Sequence, residues 1–119
     1  MQRLTKTEEE IMQLIWDSGR CTVSDLLEKF EVENRPPHST ISSVVRILEK
    51  KGYVGHKAYG KTYEYFPVID KDAYGKRSLT DVLRNYFGGS AARLLSHLVE
   101  KENLSPEEVE AMKRKLDEL

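Results

Sequence analysis

HSTISSVVRILEKKGYV, residues 38–54, decides how the rest of the chain folds. Ile41, Val44, Val45 and Leu48 fall at i, i+3, i+4 and i+7, the spacing of one buried stripe on a helix running from about His38 to Lys51. Pro37 suits the first turn of that helix, where a missing N–H costs nothing, and Gly52 suits the left-handed position just past its end. The side away from the stripe carries Ser39, Ser42, Ser43, Arg46 and Lys50. Serine weakens a helix slightly, so plain solvation would favour Glu, Lys or Gln there. Small hydroxyls ending in cations suit a helix that approaches another polar surface closely.

Two strands follow this helix. Tyr53–Tyr59 and Thr62–Val68 flank Gly60-Lys61, where the glycine supplies the turn of a hairpin. Tyr63 and Tyr65 share one face of the second strand, and Pro67 ends the ladder or marks an edge. Two helices precede. Thr5 or Thr7, each three residues before a glutamate, caps a first helix from about Lys6 to Asp17, stopped by Ser18-Gly19. Trp16 belongs to its packed side. Thr22 opens a second helix with Asp25 three positions on, and Val23, Leu26, Leu27 and Phe30 mark its buried side. Residues 31–37, with Asn34, Pro36 and Pro37, form a connecting turn. Three helices and then a hairpin is the element order of a winged helix-turn-helix, with the third helix as the recognition helix and the hairpin as the wing.

Beyond residue 69 the pattern is helical again. Leu79, Val82, Leu83, Tyr86 and Phe87 stripe one helix before Gly88-Gly89. Ser90 caps the next, with Leu94, Leu95, Leu98 and Val99. Ser105-Pro106-Glu107-Glu108 starts the last, striped by Val109, Met112, Leu116 and Leu119. A unit this short buries little surface alone. Its apolar positions therefore predict a homodimer interface at Leu79, Val82, Leu83, Tyr86, Phe87, Leu94, Leu95, Leu98, Val109, Met112 and Leu116. The alternative is that these helices fold back on the first domain. The expected architecture is mainly α with a small β-hairpin, a winged helix-turn-helix over 1–69 and a three-helix dimerisation region over 70–119.

Composition narrows the function. The chain has 119 residues and a formal net charge of −1, yet its charges are unevenly placed. Residues 1–33 carry four basic and eight acidic groups, whereas residues 34–69 carry six basic (Arg35, Arg46, Lys50, Lys51, Lys57, Lys61) and two acidic. Phosphate attraction acts over a screening length of about 8 Å at physiological salt, so a local basic segment suffices for a polyanion. No apolar run approaches the ~18 residues of a membrane span, and the opening residues lack a secretory pattern. With Cys21 as the one cysteine, a reducing cytoplasm is the expected compartment. His38, His56 and His97 sit in different elements, so no metal cluster or cofactor is expected. The serines lack a base and an orienting acid, and no phosphate-loop or dinucleotide fingerprint occurs, so no enzyme is expected.

These readings converge on double-stranded DNA. The expected contacts are His38, Ser39, Thr40, Ser42, Ser43, Arg46 and Lys50 on the recognition helix, and Lys57, Tyr59 and Lys61 on the wing. A dimer would present two such helices to two symmetric half-sites. The rivals are a winged-helix protein-interaction module and a transcriptional activator.

The same residues carry a family resemblance. Leu4-Thr5, Glu8, Ile11-Met12 and Ile15-Trp16 resemble the opening of the penicillinase-repressor family, which includes β-lactamase, methicillin-resistance and copper-transport repressors. Ser39-Thr40-Ile41, then Val44 through Val54, resemble its recognition helix and wing entry, and Gly60-Lys61 with Tyr65-Phe66-Pro67-Val68 its wing exit. Phe87, Ser90, Leu104-Ser105 and Glu107-Glu108 resemble its C-terminal helices. The resemblance implies a bacterial repressor, dimeric through those helices, on a palindromic promoter operator. It also implies that Thr40, Ser43 and Arg46 face DNA, with Lys57 and Lys61 on the wing. Two family features are absent. His97-Leu98 stands where antibiotic-resistance members are cleaved at an Asn-Phe bond, and no cysteine follows Cys21 to form the copper-responsive motif. The upstream sensor or protease, if one exists, is not encoded in these residues.

Overall fold

The computed structural model describes residues 2–102 and 104–118. The chain divides into two compact units, Met1–Lys71 and Asp72–Leu119.

The first unit opens with α1 (Lys6–Ser18). Of the two candidate threonines, Thr5 is the cap: its hydroxyl accepts from the Glu8 amide at 3.2 Å while Glu8 accepts from the Thr5 amide at 3.1 Å. The same reciprocal box, Thr22 with Asp25, starts α2 (Val23–Glu28). Phe30, expected on this helix, lies beyond its end. The chain has already turned by then, and a single 3-10 turn at Val32–Asn34 leads into α3 (His38–Lys50). Pro37 is the cap residue of α3 and not part of its first turn. Its extended ψ of 148° precedes the first helical residue, and its missing N–H is spared equally well there. Gly52 takes φ +86° just past the Lys51 cap, so the chain reverses into β1 (Val54–Tyr59).

β1 pairs antiparallel with β2 (Thr62–Pro67), from Tyr59↔Thr62 at the tip to Val54↔Pro67 at the root. Gly60 makes the two-residue turn at φ +63°. The strands are shorter than expected at the root. Tyr53 is fully buried and precedes the ladder, and its amide and carbonyl bond to Leu48 and Val68 instead. On its other edge β2 meets one residue of the α1–α2 link: the Cys21 amide donates to the Tyr65 carbonyl at 2.9 Å, and the Tyr65 amide returns the bond at 2.7 Å.

The core of this unit follows from the helical stripes. Ile11, Met12 and Ile15 of α1, Leu26 of α2, and Ile41, Val45 and Leu48 of α3 are each at most 2% exposed. Cys21, Tyr53 and Tyr65 close it beneath the hairpin. Two polar ties hold the margins. The Trp16 indole donates to the Ile69 carbonyl at 2.8 Å. The Lys51 ammonium bonds Glu8 at 2.5 Å and the Arg3 carbonyl at 3.0 Å, while the Tyr53 hydroxyl donates to the Gln2 carbonyl. That Lys51 contact holds the buried Glu8 carboxyl below its usual range, against the opposing effect of burial.

The second unit comprises α4 (Lys71–Tyr86), α5 (Ala91–Glu102) and α6 (Pro106–Asp117). Ser90 caps α5 through the Arg93 amide and Ser105 caps α6 through the Glu108 amide, both at 3.2 Å. Among the described residues only Leu83 and Leu95 are buried. No helix among them is long and apolar enough to cross a membrane.

Candidate nucleic-acid interface

The pitch of α3 sorts its side chains into two faces. Ile41, Val45 and Leu48 enter the core, so Ser39, Thr40, Ser43, Arg46 and Lys50 are exposed on the far side. One apolar residue joins them. Ile47, outside the expected buried stripe, is 42% exposed. Arg46, Lys50 and Lys61 have no carboxylate partner among the described residues. Lys51 is withdrawn from the basic segment by its bond to Glu8, and Arg35 turns back to donate to the Phe30 carbonyl at 3.3 Å.

One flank of α3 faces the wing across a cleft of about 290 Å³. Its walls are Thr22 and Ser24 from the start of α2, His38, Ser42 and Arg46 from α3, and Lys61, Thr62, Tyr63 and Tyr65 from the hairpin. Two cations, a histidine and several hydroxyls therefore converge on one concavity without an acidic residue in its walls. Such a lining suits an anion, since charge-assisted bonds from Arg to phosphate are among the strongest polar contacts available. Of the expected site residues, the cleft gathers His38, Ser42, Arg46 and Lys61. Ser39, Thr40, Ser43 and Lys50 lie on the outward face of α3.

Lys57 and Tyr59 are placed differently. They alternate with His56 and Ala58 along β1, so they occupy the wing face opposite the one that meets α3. The Lys57 ammonium sits 5.3 Å from the Tyr59 ring centre, a cation–π contact that keeps both at the wing's outer side. That same face is braced by Arg20, which lies over Phe66 at 5.4 Å and reaches Glu64 at 3.4 Å.

The inner wing face holds a group that the sequence reading did not assign to the site. The His56 ring stacks on Tyr63 with centroids 4.4 Å apart and planes 19° from parallel, and Tyr65 stands tilted at 5.9 Å. His56 Nδ1 lies 2.5 Å from Glu49 Oε2, joining β1 to α3. Burial, with Glu49 close by, raises the Tyr65 phenol above its ordinary value. Burial likewise pushes the Cys21 thiol up to about 11, which leaves it an inert packing group. Among the described residues no cluster of His, Cys, Asp and Glu has the arrangement of a metal site.

In the second unit the expected interface residues divide by exposure. Leu83 and Leu95 are buried within the single chain. Leu79, Phe87, Leu94, Leu98, Val109 and Met112 are half-buried, and the side chain of Leu116 lies outside the described residues. Tyr86, Val82 and Val99 are exposed, Tyr86 by 78%. The His97-Leu98 bond is inside α5, with the His97 ring 6.1 Å from Phe87.

The sequence model of the penicillinase repressor family matches residues 4–118. The chain belongs to the penicillinase repressor family. This family consists of DNA-binding transcriptional repressors and not of enzymes. The methicillin resistance regulatory protein MecI of Mammaliicoccus sciuri is 23% identical over 114 residues, which is 96% of this chain and 93% of that protein. The penicillinase repressor of Bacillus licheniformis is 23% identical over 116 residues, 98% of this chain and 91% of the relative. Among solved structures, the DNA-binding domain of the repressor BlaI superposes with a TM-score of 0.53 at 25% identity, covering 62% of this chain and 94% of that domain. The penicillinase repressor family match spans the winged-helix arrangement of α1, α2, α3 and the hairpin and continues through the helices that follow.

Proposed function

We propose that the chain is a sequence-specific repressor that binds a palindromic promoter operator as a homodimer in the cytoplasm. The outward face of α3 lies in the major groove, with Arg46 and the hydroxyls of Ser39, Thr40 and Ser43 reaching base edges or phosphates. The cleft between α3 and the wing receives a backbone phosphate through Arg46, Lys61 and His38. Lys57 and Tyr59, on the outer wing face, meet the adjoining backbone. The second unit pairs two copies through its half-buried stripe and the exposed Tyr86, Val82 and Val99, so that two α3 helices address two half-sites.

One observation carries this reading: among the described residues Arg46, Lys50 and Lys61 pair with no carboxylate, while Lys51 and Arg35, from the same basic segment, are used internally. Selection from a pool of random duplexes tests it. The expected result is an enriched inverted repeat, bound with a log–log salt slope of about −0.9 for each phosphate contacted. Arg46→Ala should weaken binding to the selected duplex by about 1–3 kcal/mol in a fluorescence anisotropy titration. Enrichment of no motif, or binding insensitive to salt, overturns the proposal.

A further inference from the structure

Glu49 is the one carboxylate of α3, and it lies one turn beyond Arg46 on the flank that meets the wing. An uncompensated negative charge there opposes the phosphates that the same flank would hold, within the ~8 Å over which charges act at physiological salt. His56 answers it directly. Its Nδ1 lies 2.5 Å from Glu49 Oε2, both side chains are one-third exposed, and the ring is fixed by stacking on Tyr63. A neutral imidazole can still donate Nδ1–H and so hold the wing against α3, but it leaves the pair with a charge of −1. A protonated imidazole makes the same bond and leaves the pair neutral. Tether and charge are therefore separable at one residue.

We propose that His56 is a positioning residue for DNA binding: it docks the wing on α3 through Glu49 and, by taking up a proton when the duplex binds, cancels the negative charge that α3 brings to the interface. This rests on the DNA-binding reading above. The groups facing His56 are Glu49 on α3 and the phenols of Tyr63 and Tyr65 on β2, with Arg46 of α3 close enough to act on the Tyr65 phenol. Lys61 and His38 line the neighbouring cleft, while Lys57 is on the other face of β1. Only histidine among these ordinarily changes charge between pH 5 and 8.

Because His38 would add its own titration, the test uses the full chain carrying H38Q as parent, with the duplex enriched by selection as the probe. Affinity is measured by anisotropy from pH 8 to pH 6. The parent should gain about five- to tenfold as pH falls, within the limit of tenfold per pH unit that uptake of one proton allows. His56→Asn places an amide where Nδ1 stands and never carries a charge. It should keep the fold, bind close to the parent's pH 8 affinity and lose most of the pH slope. Glu49→Gln should move the other way, binding at pH 8 at least as tightly as the parent does at pH 6. Calorimetry in buffers of different ionisation heat should show proton uptake for the parent and little for His56→Asn. Weakened binding by Glu49→Gln, or a parental slope retained in His56→Asn, reduces the pair to a structural tether and overturns the proposal. A parent that binds duplex with no pH dependence also overturns it while leaving the DNA-binding reading intact. A wild-type chain that binds no duplex at any pH fails that reading first, and this one with it.

Discussion

The two units of the chain solve the problem of small size in opposite ways. The first encloses seven aliphatic or sulfur-containing side chains from three helices, each at most 2% exposed, and closes the bottom with Tyr53 and Tyr65. The second, of about 50 residues, buries only Leu83 and Leu95 among its described residues and leaves Tyr86 78% exposed. Fully burying one large apolar side chain contributes about 1.5–3 kcal/mol, so the first unit has a core of its own while the second has little more than a seam. The comparison suggests a division of labour. A self-sufficient unit presents its polar surface from a core of its own, and on the proposed dimer reading the dependent one gains stability by covering its apolar stripe with another copy.

The largest expected effect separates the units outright. A fragment ending at residue 71 should fold cooperatively by circular dichroism, with a melting temperature independent of concentration. Its apparent affinity for a two-half-site duplex should fall by about 10²–10⁴-fold relative to the full chain, because linkage of two half-sites is lost. A fragment that stays unfolded breaks the comparison. Next comes the cavity test. Leu48→Ala in the first unit should cost about 2–5 kcal/mol at every protein concentration. Leu95→Ala in the second should instead make the melting temperature depend on concentration more steeply than in the wild type. Equal, concentration-independent losses would show that the second unit needs no partner.

The smallest effect is also the sharpest. Glu8→Gln removes the carboxylate held by Lys51 at 2.5 Å and should cost about 1–3 kcal/mol near pH 7. The Glu8 carboxyl is held below its ordinary value of 4.5, so its contribution is present above that pH and is lost as pH falls through the lower, folded-state value. The gap between wild type and Glu8→Gln in urea unfolding should therefore narrow on acidification below about pH 4.5. A constant gap would place the cost in shape and not in charge.

Much of this was legible because it is local. The stripe of α3 spans seven positions of one helix, and the boxes at Thr5 and Thr22 and the caps at Ser90 and Ser105 each join residues three positions apart. The hairpin register follows once Gly60-Lys61 is the turn, and it alone pairs His56 with Tyr65 and Ala58 with Tyr63. What was not legible crosses the chain. The bridge between Cys21 and Tyr65 joins residues 44 apart in sequence, and nothing near Cys21 signals it. Lys51 reads as one more cation of a basic segment until α1 brings Glu8 beside it. The placing of Lys57 on the face away from His56 could have been counted from strand alternation, but the cleft that Lys61 lines includes Thr22 and Ser24, far upstream.

The backbone bridge at Cys21 gives the hairpin a fulcrum. At Tyr65, β2 is bonded on both edges, to β1 on one side and to the α1–α2 link on the other. From there to the turn, residues 57–64 share only the ladder between the two strands as backbone pairing among the described residues. If the wing bends on meeting a duplex, as the proposed function would have it, the expected place is that outer stretch, with the root held at Tyr65.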